Sequence, residues 1–148
     1  MVYSAMVKKA SKIAFEAHKN DLDKAGYPYV MHPFYLAFQM DDENAVCVAL
    51  LHDVIEDHSD LYTMADLERE GFSPEVLTAL RLLTHDPSVP YMDYVKIVGK
   101  NALARKVKMA DLRHNSDVSR LDGKPPRKIE LYKETLEYLT ALDKADKE

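Results

Sequence analysis

Apolar positions recur along most of this chain at intervals of three and four, the period of a helix with one buried face. Met6, Ala10, Ile13 and Ala17 mark the first such segment. Gly26 and Pro28 punctuate a loop, and Pro33 stands where a first-turn proline opens a second helix. "DDEN" at 41–44 supplies a break and an N-cap for a third helix, roughly 44–57, which "HSD" at 58–60 ends. Thr63 with Asp66 is a capping signal for a short helix over 64–70, ended by Gly71. Ser73-Pro74 starts another that reaches about Thr84. Further helices are predicted over 91–99 and 101–116, and "LDGKPP" at 121–126 is a clear interruption. The last helix runs from Arg127 to about Asp143, with Ile129, Tyr132, Leu136, Leu139 and Leu142 as its core stripe. The charged end "DKADKE" reads as a solvated, fraying terminus. No segment alternates apolar and polar residues as a strand does. The expected architecture is all-α: one domain over residues 1–148, a bundle of seven or eight helices.

Composition narrows the class. The 148 residues are 47% hydrophobic and 30% charged, ordinary values for a globular protein. A net charge of −5 argues against a general nucleic-acid binder, whose footprint is basic. No apolar run approaches the roughly 18 residues of a membrane span. The N-terminus also lacks the apolar core of a signal peptide. The single cysteine, Cys47, lies in an apolar run and reads as a small buried hydrophobe. With no internal disulfide possible, a reducing, cytoplasmic setting is expected.

Against this background "CVALLHDVIED", Cys47 to Asp57, stands out. It places a histidine and three carboxylates in one of the most apolar stretches of the chain. Buried carboxylates cost several kcal/mol unless paired or metal-bound. On a helix His52 stacks with Glu56, and Asp53 with Asp57, which makes a polar wedge of two adjacent stripes. His52 and Asp53 are then neighbouring candidate ligands, with Glu56 and Asp57 one turn on, beside the metal. Two further candidates sit in apolar settings: His32 in "YVMHPF" and Asp111 in "KVKMADLRHN", the latter with Asn115 four residues on. Alone, His32 reads as a satisfied buried histidine and Asp111 as a capping or salt-bridged residue. Together, two histidines and two aspartates suit a hard or borderline divalent cation such as Mn²⁺, with room left for water that could act as hydroxide. The second His-Asp pair, His85-Asp86 in "THDPSVP", reads as a helix end and turn.

Three ordered motifs carry a resemblance: "HKNDLDKAGYPYVMHP" (18–33), "ALLHDVIED" (49–57) and "VKMADLRHN" (107–115). With this spacing the chain resembles the HD-domain phosphohydrolases, and within them the (p)ppGpp hydrolase domain of RelA/SpoT homologues, most of all the stand-alone small alarmone hydrolases. The resemblance implies one Mn²⁺ held by His32, His52, Asp53 and Asp111. It implies Glu56 and Asp57 as catalytic carboxylates and Asn115 at the nucleotide. The implied reaction removes pyrophosphate from the 3′ position of a guanosine nucleotide, giving GDP or GTP. An anionic substrate needs cations, and Lys24, Arg105, Lys108 and Arg113 are candidates, each reading equally as a solvated surface charge. Tyr29 is expected to stack on or support the site, or to sit in the core.

The basic loop departs from the family pattern. Asp23 stands where the family carries an arginine that helps hold the base, and Asn20-Asp21 where it carries Gly-Gln. Base selectivity therefore stays open, with an adenosine alarmone or a 3′-pyrophosphorylated acceptor such as a tRNA end as alternatives. Two further alternatives are an HD phosphohydrolase acting on a nucleotide monoester or cyclic diester, and a non-catalytic, antitoxin-like helical module. The sequence does not specify an oligomeric state.

Overall fold

The computed structural model describes residues 1–148. It is helical throughout, with an isolated Leu22–Pro28 bridge as its sole β-type pairing. The helices are α1 (Ala5–His18), α2 (Met31–Phe38), α3 (Glu43–Leu51), α4 (Val54–Asp57), α5 (Met64–Arg69), α6 (Pro74–Leu83), α7 (Tyr91–Gly99), α8 (Ala102–Asn115) and α9 (Ile129–Lys147), with a 3₁₀ turn at Val118–Leu121. The all-α expectation holds. The 3₁₀ turn, which follows α8 and precedes a left-handed Asp122-Gly123 corner, was not foreseen.

Local chemistry sets the helix starts. Ser4, Asp42, Ser73 and Asn101 each accept a backbone N–H of the first turn. Thr63 and Asp66 complete a reciprocal capping box, as their spacing predicts. Helix α3 is the hub. Every residue from Ala45 to Leu51 is buried, and it packs against α1, α2, α6 and α8. Cys47 lies within this segment, its thiol pushed up to about 12 by burial. No helix is long and apolar enough to cross a membrane.

Two boundaries differ from the sequence reading. The predicted continuous helix over 44–57 is broken at His52-Asp53 into α3 and α4. The Nδ1–H of His52 donates to the Ala49 carbonyl at 2.6 Å, the acceptor a continuing helix would offer to the amide of Asp53. Both residues keep αR dihedrals, so hydrophobic periodicity carries no sign of the break.

The charged C-terminus does not fray. Helix α9 continues to Lys147, and Asp143 and Asp146 grip Arg105 of α8. The guanidinium of Arg105 is buried, donating also to the Gly99 carbonyl at 2.8 Å. Arg105→Ala is therefore expected to cost about 1–3 kcal/mol of stability, because it leaves these acceptors unmatched. It should leave metal binding intact. Thermal unfolding alongside metal titration checks both halves.

Candidate metal centre and active site

The break between α3 and α4 turns His52 and Asp53 into one focus with His32 from α2 and Asp111 from α8. One ligand atom from each of the four lies within 4.8 Å of all the others. His32 Nε2 is 2.9 Å from Asp111 Oδ1. His52 Nε2 is 3.0 Å from Asp53 Oδ2 and 3.5 Å from Asp111 Oδ1. The four expected ligands are thus brought together from three distant segments, and His32, His52 and Asp111 are buried.

The hydrogen bonds specify what belongs between them. A carbonyl can only accept, so His52 carries its hydrogen on Nδ1, facing Ala49. In the neutral ring Nε2 then presents a lone pair to two carboxylate oxygens. It is a buried atom with no hydrogen-bond partner. Only a cation resolves that geometry, either a second proton on His52 or a metal ion. Burial disfavours an imidazolium here, but Asp53 and Asp111 outweigh it and push the His52 pKa well above its usual value. Burial likewise acts to raise both carboxyls, and the neighbouring cationic groups reverse it. His52 holds Asp53 at about 2, and Lys108, first among its partners, holds Asp111 well below the carboxylate range. A site that attracts positive charge this strongly, with two imidazoles and two carboxylates as donors, fits a divalent metal ion.

A second layer orients these donors. Tyr29 donates its hydroxyl to Asp53 Oδ2. Asn115 Nδ2 donates to Asp111 Oδ1 at 3.1 Å, and Lys108 Nζ to Oδ2 at 3.0 Å. His32 Nδ1 meets His114 Nδ1 at 2.6 Å. His114 is kept neutral, its pKa lowered to about 4 by burial and by His32, and its ring stacks on Tyr35. It therefore accepts from His32 and fixes that imidazole with Nε2 toward the centre. His114→Ala should weaken metal affinity by about 10–100-fold while the helical circular dichroism is kept. Titration of the metal-stripped protein measures the effect.

A cavity of about 380 Å³ opens over the centre. Asp53, Asp111, Glu56 and Asp57 reach it, with Lys108 and Asn115 alongside. Glu56 Oε1 accepts the His85 backbone N–H at 2.8 Å. Asp57 is pushed up to about 6 by burial, by Asp53 and by Glu56. Tyr91, with a buried hydroxyl that has no protein partner, also lines the space. A side chamber of about 200 Å³ shares Tyr29, Asn115 and Tyr132 with this cavity and adds Lys24.

Arg105 is the expected substrate contact that the fold takes elsewhere, to the α9 ion pairs. Arg113 lines the same remote cleft as Arg105. Lys108 is near the site, but its ammonium is committed to Asp111. Sequence reasoning missed His114, Tyr91, Lys128 and the His85 backbone. His114 carried a signal, since it falls three residues after Asp111 and on the same face. The pair His85-Asp86 forms the turn after α6 that its sequence suggests; Asp86 organises it by accepting from Ser88.

A helical bundle that gathers a histidine from one helix, an adjacent His-Asp pair and a distal aspartate has the architecture and donor set of an HD domain. No protein-family model matches the chain. The chain is 31% identical over 147 residues to the guanosine-3′,5′-bis(diphosphate) 3′-pyrophosphohydrolase of Haemophilus influenzae, covering 88% of this chain and 21% of that protein. It is 30% identical over 129 residues to the GTP pyrophosphokinase rsh of Brucella melitensis, covering 77% of the chain and 17% of the relative. The chain spans about a fifth or less of the length of these curated relatives. A solved structure, that of a metazoan ortholog of SpoT that hydrolyzes ppGpp, superposes with a TM-score of 0.70 at 23% identity, covering 92% of this chain and 85% of that one. In sequence the chain is thus similar to proteins of the RelA/SpoT type, and it shares the helical fold of the SpoT ortholog.

Proposed function

We propose that this protein is a Mn²⁺-dependent pyrophosphohydrolase that removes the 3′-pyrophosphate of a guanosine alarmone. The observation that carries the reading is the His52 Nε2 lone pair facing two carboxylates, Asp53 and Asp111, that line the same cavity as Glu56 and Asp57. In the proposed reaction water adds to the phosphorus next to the ribose. The ester bond to the 3′ oxygen breaks, pyrophosphate leaves and the 3′ hydroxyl is restored. When bound, the divalent ion supplies Lewis acidity toward the phosphoryl oxygens and the attacking water.

The chain's own residues do the rest. Asp57, its pKa raised to about 6 by burial and by its carboxylate neighbours, takes the proton of the attacking water. Glu56, fixed by the His85 N–H, orients that water. Lys128 at the cavity wall and Lys24 in the side chamber offset phosphate charge, and the Tyr91 hydroxyl offers a free donor. The nucleoside takes the side chamber. There Arg120 lies 3.7 Å from Asp23, so a guanidinium reaches this chamber from the 3₁₀ turn although position 23 is acidic.

The test is pyrophosphate release from guanosine and adenosine 3′-pyrophosphates by metal-stripped protein reloaded with Mn²⁺. Release from the guanosine compound, stopped by chelator, is the expected result. Release from the adenosine compound alone would reassign the base. No pyrophosphate from either, with orthophosphate from another nucleotide, would overturn the reading.

A further inference from the structure

Beside the centre, and sharing no residue with it, stands a second convergence of donors. His18 closes α1, Asp21 follows in the turn, and His58 caps the end of α4 directly after Asp57. Asp21 Oδ2 lies 3.1 Å from His18 Nδ1 and 2.5 Å from His58 Nε2. The three ligand atoms all lie within 4.8 Å of one another. This repeats the geometry of the first centre, where imidazole nitrogens also crowd a carboxylate oxygen at hydrogen-bond range.

The backbone holds all three donors in place. The Asp21 amide donates to the His18 carbonyl at 3.0 Å, and the Asp21 carbonyl accepts the Tyr29 amide at 2.9 Å. The His58 carbonyl accepts the amides of Leu61 and Tyr62. The His18 side chain is wholly buried, whereas those of His58 and Asp21 are 19% and 33% exposed, so one side of the cluster is open to an ion and its water. Burial keeps His18 neutral, and the bonds from His58 and His18 keep Asp21 anionic.

We propose that His18, Asp21 and His58 form a second divalent-metal site, selective for a late first-row ion such as Zn²⁺, bound tetrahedrally with water as the fourth ligand. Two imidazoles and one carboxylate with an open position are a zinc donor set. The first centre, with a second carboxylate, is harder and favours Mn²⁺. The ion would tie the end of α1 to the residue after Asp57.

The experiment uses the full chain, stripped of metal and titrated with Zn²⁺ and with Co²⁺ as a visible-light reporter. Wild type should bind two equivalents and show the intense visible bands of tetrahedral Co²⁺. Asp21→Asn, close in shape but a poor ligand, should bind one equivalent and lose those bands, as should His58→Ala. Asp111→Asn, aimed at the first centre, should keep the bands. Circular dichroism verifies that each variant is folded, and the near-isosteric Asp21→Asn decides if His58→Ala is not. A single equivalent in wild type, or tetrahedral bands that survive Asp21→Asn, would show that the cluster is only a hydrogen-bonded triad and overturn the proposal. These readouts are independent of alarmone hydrolysis, so the second site stands or falls separately from the proposed activity.

Discussion

Asp111→Asn should lower Mn²⁺ affinity by about 100-fold or more and pyrophosphohydrolase activity by at least about 10³-fold. Asp111 is where the centre's interactions meet. Its Oδ1 faces His32 and His52 and accepts from Asn115, and its Oδ2 holds the Lys108 ammonium. Asparagine keeps the shape and one acceptor but removes the charge that both the ion and Lys108 require. Burial disfavours a charged Lys108, and Asp111 outweighs it, holding the Lys108 pKa well above its usual value. The variant should therefore also lose stability. The pH dependence has a definite sign: the folded pKa of Asp111 is depressed, so its contribution is present above the unfolded value near 4 and is lost as pH falls through the folded one. The stability gap between wild type and variant should accordingly be wide at pH 7 and close in strong acid. Full Mn²⁺ stoichiometry and unchanged turnover in the folded variant would remove Asp111 from the ligand set.

The four candidate ligands were legible in the sequence because each violates its surroundings. His32, His52, Asp53 and Asp111 are titratable groups in apolar runs, and such placements are costly without compensation. What the sequence reading lacked was phase and tertiary placement. Arg105 lies six residues before Asp111, about 120° round α8 from it, whereas Lys108, His114 and Asn115 fall within about 60°. Helical phase alone therefore separates the residues that face the centre from the one that turns to α9, and it would have added His114. No local pattern could supply His85, Lys128 or Tyr91, which reach the cavity through loops and helix packing. Asp21 and His58 are 37 residues apart, and only the folded turn after α1 brings them together. The break after His52 was equally hidden, because a side-chain bond to Ala49 creates it without leaving the helical basin.

Asp57→Asn should separate activity from stability in the opposite sense, lowering turnover by about 10²–10⁴-fold while making the metal-free fold more stable near neutral pH. Burial, Asp53 and Glu56 push Asp57 up to about 6. Its folded pKa thus exceeds the unfolded value near 4. The stabilising contribution of its neutral form is complete below that unfolded value and is lost as pH rises through about 6. Above pH 6 the wild type carries an ionised acid beside two others, and asparagine removes that repulsion. Asp57 is only partly buried, with more than a third of its surface exposed, so solvent screening limits the gain to about 1 kcal/mol or less. That corresponds to a rise in Tm of at most about 2–4 °C. The diagnostic quantity is the difference between wild type and variant, which should widen from pH 5 to pH 7. In kinetics the same carboxyl must be ionised to accept a proton, so kcat/KM of the wild type should decline with acidity on the low-pH side, and a bound cation should move that limb to lower pH. A variant with undiminished turnover, or a Tm difference that does not change between pH 5 and pH 7, would mean that Asp57 is neither the proton acceptor nor a strained carboxylate.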